Sequence, residues 1–430
     1  MKNRFDTDRS RRERATRRGA RFRTTLLAAA IAASGTLGAT ETSILVSPNA
    51  APGAEMAYAV GVEGTWVVIG APGEDAVAGA IYAIDCSTSP CANPIRIVPA
   101  DVLPDHAFGT AISISGDTFA ATAPGAEPGA AYIYVHDAGG WTQQARLTPS
   151  GGSTGENFGA SVSLSGDRVA VGANRAGGEA GAVYVFVRSG TDWIQEARLT
   201  ASDPALRDAF GSSVALDADT LLAGAPIKHR AAPGSYANGA VYAFIRAGGG
   251  WAQQAKLLPA AGANGDLFGF AVDLAGDRAL IGAPYALSAQ GTAYVFSRTG
   301  TTWSEQTQLD AASGAAGDEF GWSVAFGEDR VIVGAPFAGE LTGAACGANY
   351  VFEGPTFIET GAGALAQPLL NELTGWSVAA SGARWVASAP GHEVGINEHA
   401  GAAYWFDATD AIFRSGFESI LLPPQCQVAD

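Results

Sequence analysis

The residues best suited to chemistry in this 430-residue chain are few, and they gather in two loops. His392-Glu393 and Glu398-His399 share one short segment, and imidazoles beside carboxylates are donor types that suit a transition metal. Metal ligands need a surrounding shell that fixes their orientation, and a polar loop offers none. The expectation is therefore a solvated His- and Glu-rich loop, with no metal and no cofactor. Lys228, His229, Arg230 and Tyr236 form the second group, a cationic-aromatic cluster on a chain of net charge −16. Such a cluster recognises partners more readily than it catalyses, although a tolerated surface insertion reads the same way, because longer loops cost little stability. Enzyme signatures are missing: there is no Gly-x-Ser-x-Gly elbow, no His-Glu-x-x-His helix and no phosphate-cradling glycine loop. Histidine is scarce, and no nucleophile has an evident base, so the chain reads as a non-enzyme.

Cysteine spacing carries a different chemistry. Cys86 and Cys91 flank Ser-Thr-Ser-Pro, close enough to pair across a turn. Cys346 and Cys426 are the leftover pair, able to tie the C-terminal tail to the body. No Cys/His spacing suggests zinc.

Disulfides require an oxidising compartment, and the N-terminus supports one. Residues 1–23 hold ten basic side chains against three acidic ones, and Thr24–Ala39 is a run of small and apolar residues. That is the layout of an export signal, too short for a comfortable membrane anchor. Without residues 1–23 the net charge is −23, a surface that repels nucleic acid and anionic lipid. A secreted, periplasmic or cell-surface location is expected, with no nucleic acid as partner and no transmembrane anchor.

Positioning of these residues falls to a repeat. Phe-Gly occurs at Phe108, Phe158, Phe210, Phe268 and Phe320, each before a small-residue strand. A Gly-Ala-Pro-like element recurs seven times, ending at Pro72, Pro124, Asn174, Pro226, Pro284, Pro336 and Pro390. Gly-x-x-Tyr also recurs seven times, ending at Tyr82, Tyr132, Tyr184, Tyr242, Tyr294, Tyr350 and Tyr404. Two independent anchors give one count. Each unit reads as four strands separated by Gly/Asp turns, with apolar and polar residues alternating. A repeat of this length with four strands marks a propeller blade, so the fold class is an all-β, seven-bladed β-propeller. Unit seven lacks a fourth strand, whereas Ile44–Val46 look like an orphan one. The N-terminal strand is therefore expected to complete the last blade, which removes the open edge. The division is 1–39 export signal, 40–406 propeller and 407–430 C-terminal tail.

The recurring phrase resembles FG-GAP repeats, the repeat that also builds the integrin α-subunit propeller. The resemblance spans residues 44–406 and implies extracellular recognition of proteins or surfaces. It departs from integrins at the turn between the first two strands. Integrin-type calcium loops carry several aspartates there, but this chain has short turns such as Ser165-Gly166-Asp167. Calcium wants six to eight oxygens, so integrin-like calcium sites are not expected. An acidic residue also recurs just before Phe-Gly (Glu156, Asp208, Asp266, Asp318), where turn chemistry explains it better than a ligand does.

Second-to-third-strand loops all emerge on one face, together with the blade links. Residues 227–238, 337–346 and 391–400 make long excursions there. Rigid scaffolds commonly carry binding residues on such loops. The expected role is a non-catalytic binding or adhesion module for a protein or glycan partner at the cell surface or matrix, using Lys228, His229, Arg230, Tyr236, His392, Glu393 and His399. A structural envelope component, or a hydrolase or lyase with axial carboxylates, are the alternatives.

Overall fold

The structure is a computed structural model that describes residues 43–46, 52–88, 90–228, 238–339, 346–354, 356–363, 371–393 and 399–407. All belong to one compact unit, residues 39–430. Among them the strands form seven four-stranded antiparallel sheets, six built from strands consecutive in sequence. Blade three is representative: Phe158–Ser165, Arg168–Ala173, Ala182–Ser189 and Asp192–Leu199 pair in that order.

The composition of each strand follows its place in the blade. The second strand, RVAVGA, and the first part of the third, AVYVF, are buried on both faces, because neighbouring blades cover both. Continuous apolar runs replace the alternation expected there, as they do in any strand covered twice. Alternation survives in the outer strand, where one face meets water. Its tryptophans bridge blades: Nε1 of Trp193, Trp251 and Trp303 donates to Gln144, Glu196 and Gln254 of the preceding outer strand, at 2.9–3.0 Å.

The Phe-Gly phrase builds the junctions. Phe108, Phe158, Phe210, Phe268 and Phe320 are fully buried, and each meets the tyrosine of its own blade edge-on, with ring centroids 5.3–5.6 Å apart. Such edge contacts add to the large apolar area each ring buries. The glycine is needed for approach: a β-carbon on Gly172 would overlap the carbonyl oxygen of Gly211 in the next blade.

Closure takes the expected form. Ser43–Val46 pairs antiparallel with Ala402–Asp407, in the register Ile44 to Tyr404 and Val46 to Ala402, as the fourth strand of blade seven. The first and last segments thus share one sheet, and no blade is left with an open fourth position.

Around the axis, inner strands are joined by side-chain-to-backbone hydrogen bonds from one blade to the next. Ser113 accepts from Leu164 N–H and Ser163 from Leu216 N–H, both at 2.9 Å, and Ser377 accepts from Val60 N–H at 3.3 Å. In blade five Asp273 takes this role, accepting from Phe326 N–H at 2.7 Å and from its neighbour Leu274 N–H at 2.8 Å.

Candidate functional site

The face that carries the blade links and the second-to-third-strand loops is organised by the repeated tyrosines. In blade one the Tyr82 hydroxyl donates to Glu74 at 2.7 Å, and Arg96 binds the other oxygen of that carboxylate at 2.7 Å. Tyr132 donates to Asp101 at 3.2 Å beside Arg146, and Tyr184 to Glu156 at 3.0 Å beside Arg198. Tyr242 donates to Asp203 at 2.6 Å, with Lys256 on the same carboxylate at 2.7 Å. Burial, then the Asp203 bond and its charge, hold the Tyr242 hydroxyl well above the usual phenol range. Burial alone would raise Asp203, but the bonds from Lys256 and Tyr242 outweigh it and leave this carboxyl lowered. Each unit is a tyrosine hydroxyl donating to a carboxylate with a cation beside the pair. The cation binds the carboxylate in blades one, two and four, and in blade three Arg198 donates to the tyrosine oxygen.

Blade seven uses a histidine where blades one to four use arginine or lysine. Glu372 is buried, and its Oε1 lies 2.6 Å from His392 Nδ1 and accepts the Tyr404 hydroxyl at 3.1 Å. His392 is thus held at the root of its loop rather than projecting from it. Glu393 is exposed. His399 adopts a left-handed backbone (φ 54°), and its carbonyl accepts from Glu55 N–H at 3.2 Å across the 7–1 junction. Glu398 lies outside the described residues.

Lys228 corrects the sequence reading. It was expected in an exposed cationic cluster, yet only 7% of the residue is exposed and Nζ lies 2.6 Å from the Asp208 carboxylate, with the Asp203 carbonyl as a second partner. Asp208 is 1% exposed, and a buried carboxylate needs a counter-charge. Lys228 is therefore paired with Asp208 at the root of the loop, its ammonium turned into the protein. His229, Arg230 and Tyr236 lie outside the described residues.

The other sequence-stated positions fall as follows. Cys86 and Cys91 form a disulfide with Cα atoms 4.2 Å apart. Cys346 is buried, and the partner expected for it, Cys426, lies outside the described residues. The acidic residue before Phe-Gly staples its own turn in three blades. Asp208, Asp266 and Asp318 accept from the backbone N–H of Ala205, Ala263 and Ala315, three residues earlier, at 2.5–2.7 Å. Burial raises Asp266 and Asp318, and these amide bonds offset part of that.

Two features of this face were missed in the sequence. The loops of blades one and five each hold three consecutive non-glycine residues in the left-handed region, Asp75–Val77 and Leu287–Ala289. A β-branched residue such as Val77 (φ 66°) is strained there. These turns leave Val77 and Leu287 exposed, along with Leu103 and Leu206 from the links. The second feature is an arc of aromatic rings at the axial mouth. The residue after the Phe-Gly position is Phe270, Trp322, Trp376 and Tyr58 in blades five, six, seven and one. Successive centroids lie 4.7, 4.8 and 5.6 Å apart, and Phe337 packs 5.5 Å from Trp322. One position per repeat held the signal, but only placing it next to the axis gives it meaning.

The inner strands also hold more charge than their Gly-, Ala- and Ser-rich sequence suggested. Asp273 is surrounded by protein within the axial channel, although water still reaches part of it, and burial pushes its carboxyl up to about 6. Burial likewise raises Glu63. No helix among the described residues is long and apolar enough to cross a membrane.

Comparison with known proteins agrees with this architecture. No curated protein sequence matches the chain. Among solved structures, Sqt1 of Saccharomyces cerevisiae is similar at 10% identity and a TM-score of 0.48, covering 86% of each chain, a likeness too distant to bear on function. The FG-GAP repeat model matches residues 141–186, 193–244, 251–296 and 303–352. Each match begins at an outer-strand tryptophan and ends in the third strand of the next blade, one strand out of phase with the blades. That offset is what leaves a lone outer strand at the N-terminus to close the ring. With four matched repeats and seven blades of one pattern, the chain is an FG-GAP repeat protein.

Proposed function

We propose that this propeller is an exported, non-catalytic recognition module that binds a protein or glycan partner at the cell surface or matrix through its long-loop face. The observation that carries this reading is where the repeat is broken. Residues common to the blades (Phe, Tyr, the close-approach glycines) go into junctions, whereas several of the residues that differ from blade to blade lie on the long-loop face. There they include the aromatic arc, the exposed aliphatics on strained turns, and the His392 loop. A rigid body with a variable face is how scaffolds present binding residues. The Cys86–Cys91 disulfide and the basic-then-apolar N-terminus support export. Fold alone does not give function.

The test is binding of the chain, without residues 1–39, to glycans, envelope fractions and matrix proteins. A His229/Arg230/Tyr236→Ala variant and a Glu393/His399→Ala variant run beside it. Binding weakened by either variant supports the face. Binding that survives both, and that is lost on changing outer-strand residues, contradicts it.

A further inference from the structure

We propose that the axial mouth on the long-loop face is a binding site for a neutral sugar chain, which stacks on the aromatic arc and hydrogen-bonds to the opposite rim. This inference rests on the recognition reading above and names the ligand class for one part of that face.

The mouth has two unlike halves. On blades five, six, seven and one it presents Phe270, Trp322, Trp376 and Tyr58, with Phe337 behind them. Phe270, Trp322 and Tyr58 are partly exposed, while Trp376 and Phe337 are nearly buried beneath them. Mutual packing at 4.7–6.3 Å fixes the ring planes before any ligand arrives. On blades two, three and four the same sequence position is Thr110, Ala160 and Ser212, which leaves room above the strands. A short amide chain runs beside them: Asn157 Nδ2 donates to Asn174 Oδ1 at 2.9 Å, and Asn174 Nδ2 donates to Ser212 Oγ at 3.2 Å. Thr110 donates to the Ala107 carbonyl at 2.7 Å and Ser212 to the Ala209 carbonyl at 2.8 Å, so both hydroxyl oxygens keep acceptor capacity for a ligand.

Charge decides between occupants. The side chains of both arcs are uncharged. On this face Glu74, Glu156, Asp203 and Glu372 accept tyrosine hydroxyls, and Asp266 and Asp318, in the loops that lead to Phe270 and Trp322, accept backbone amides of their own turns. Deeper in the channel, Asp273 has both oxygens on backbone amides and offers no counter-charge to a ligand. An ionic ligand would therefore lose hydration without finding a partner. A purely apolar protein side chain would satisfy the rings but leave the amide and hydroxyl rim unmet. A pyranose offers apolar C–H faces and equatorial hydroxyls together, which fits one aromatic half and one polar half. Pockets with a mostly apolar lining and a few placed polar groups are the ordinary form of such sites.

The experiment follows tryptophan fluorescence and calorimetry of the chain without residues 1–39. The probes are neutral hexaoses (cello-, malto- and N-acetylchito-), an acidic oligogalacturonate and a lysine-rich peptide. The expected result is saturable binding of at least one neutral hexaose, with little dependence on salt. Phe270→Ala and Trp322→Ala should each weaken it by about tenfold or more, the loss of one stacked ring. Asn174→Ala should weaken it less. Should Trp322→Ala fail to fold, Ser212→Phe crowds the opposite rim without touching the arc and should also reduce binding. Binding unchanged by these variants overturns the site. So does binding confined to the acidic or the cationic probe. Failure of every sugar, while an envelope or matrix component still binds the long-loop face, removes this inference and leaves the recognition reading standing.

Discussion

Replacing Asp273 by serine should raise the stability of the propeller at neutral pH and flatten its pH dependence. Blades two and three place Ser113 and Ser163 at this register, where each accepts the backbone N–H of the next blade. Serine can therefore keep the inter-blade bond to Phe326 while removing a charge that the channel disfavours. Asp273 is raised to about 6 from an unfolded value of 3.8. Native protein thus holds its proton through a window in which the unfolded chain has already ionised. Raising the pH from about 4 to about 6 destabilises the fold through this group. A rise of about two units corresponds to at most ~3 kcal/mol, an upper value because water reaches part of the carboxylate. For a domain of this size that is about 3–4 °C in Tm. The assay is thermal unfolding of both proteins from pH 4 to pH 8. The gap between Asp273→Ser and wild type should be greatest at pH 7–8 and shrink as the pH falls through 6 towards 4. A gap that is constant across the range, or one in which wild type is the more stable at pH 7, would refute the reasoning.

Other substitutions test other links. Deleting residues 40–47 removes the strand that pairs with Ala402–Asp407, and should lower Tm sharply in a melt monitored by circular dichroism; an unchanged melt contradicts the closure. Lys228→Ala leaves the Asp208 carboxylate buried without its partner and should destabilise by about 3–5 kcal/mol in urea unfolding. A loss of binding alone, with stability intact, would return Lys228 to the partner face. At the 6–7 junction, Thr374 stands where blades two to six bury phenylalanine, and Asn349 stands where Val183 and Val241 pack. Thr374 Oγ1 and both amide atoms of Asn349 are buried without hydrogen-bond partners. The pair Asn349→Val with Thr374→Phe restores the apolar contact and should stabilise by about 1–3 kcal/mol, more than the single changes combined.

Much of the architecture was legible because it is written seven times. Phe-Gly, Gly-Ala-Pro and Gly-x-x-Tyr are junction residues, and every blade junction imposes the same steric demand. Gly172 against Gly211 is one instance. The N-terminal closure was legible for the same reason, since a missing outer strand at one end and a spare one at the other can only be joined. The Cys86–Cys91 disulfide followed from proximity along the chain. The face was harder to read. Lys228 looked exposed because its loop is polar, and only the fold brings Asp203 and Asp208 to its ammonium. The aromatic arc takes one residue from each of four blades, so no local window contains two of its members. Glu372 escaped notice because His392 and Tyr404 reach it from a different part of the blade. Strain at Asp75–Val77 has no sequence mark at all, since left-handed turns normally announce themselves through glycine or asparagine.

The central claim is that partners are recognised on the long-loop face and not on the outer strands or the opposite face. Hydroxyl-radical footprinting of the chain bound to whichever glycan, envelope or matrix component it captures tests this most directly. Protection should fall on Tyr58, Phe270 and Trp322 at the mouth, and on Val77, Leu103, Leu206 and Leu287 around it. Protection concentrated on Trp141, Trp193, Trp251 and Trp303 of the outer strands, with the mouth still reactive, would contradict the account.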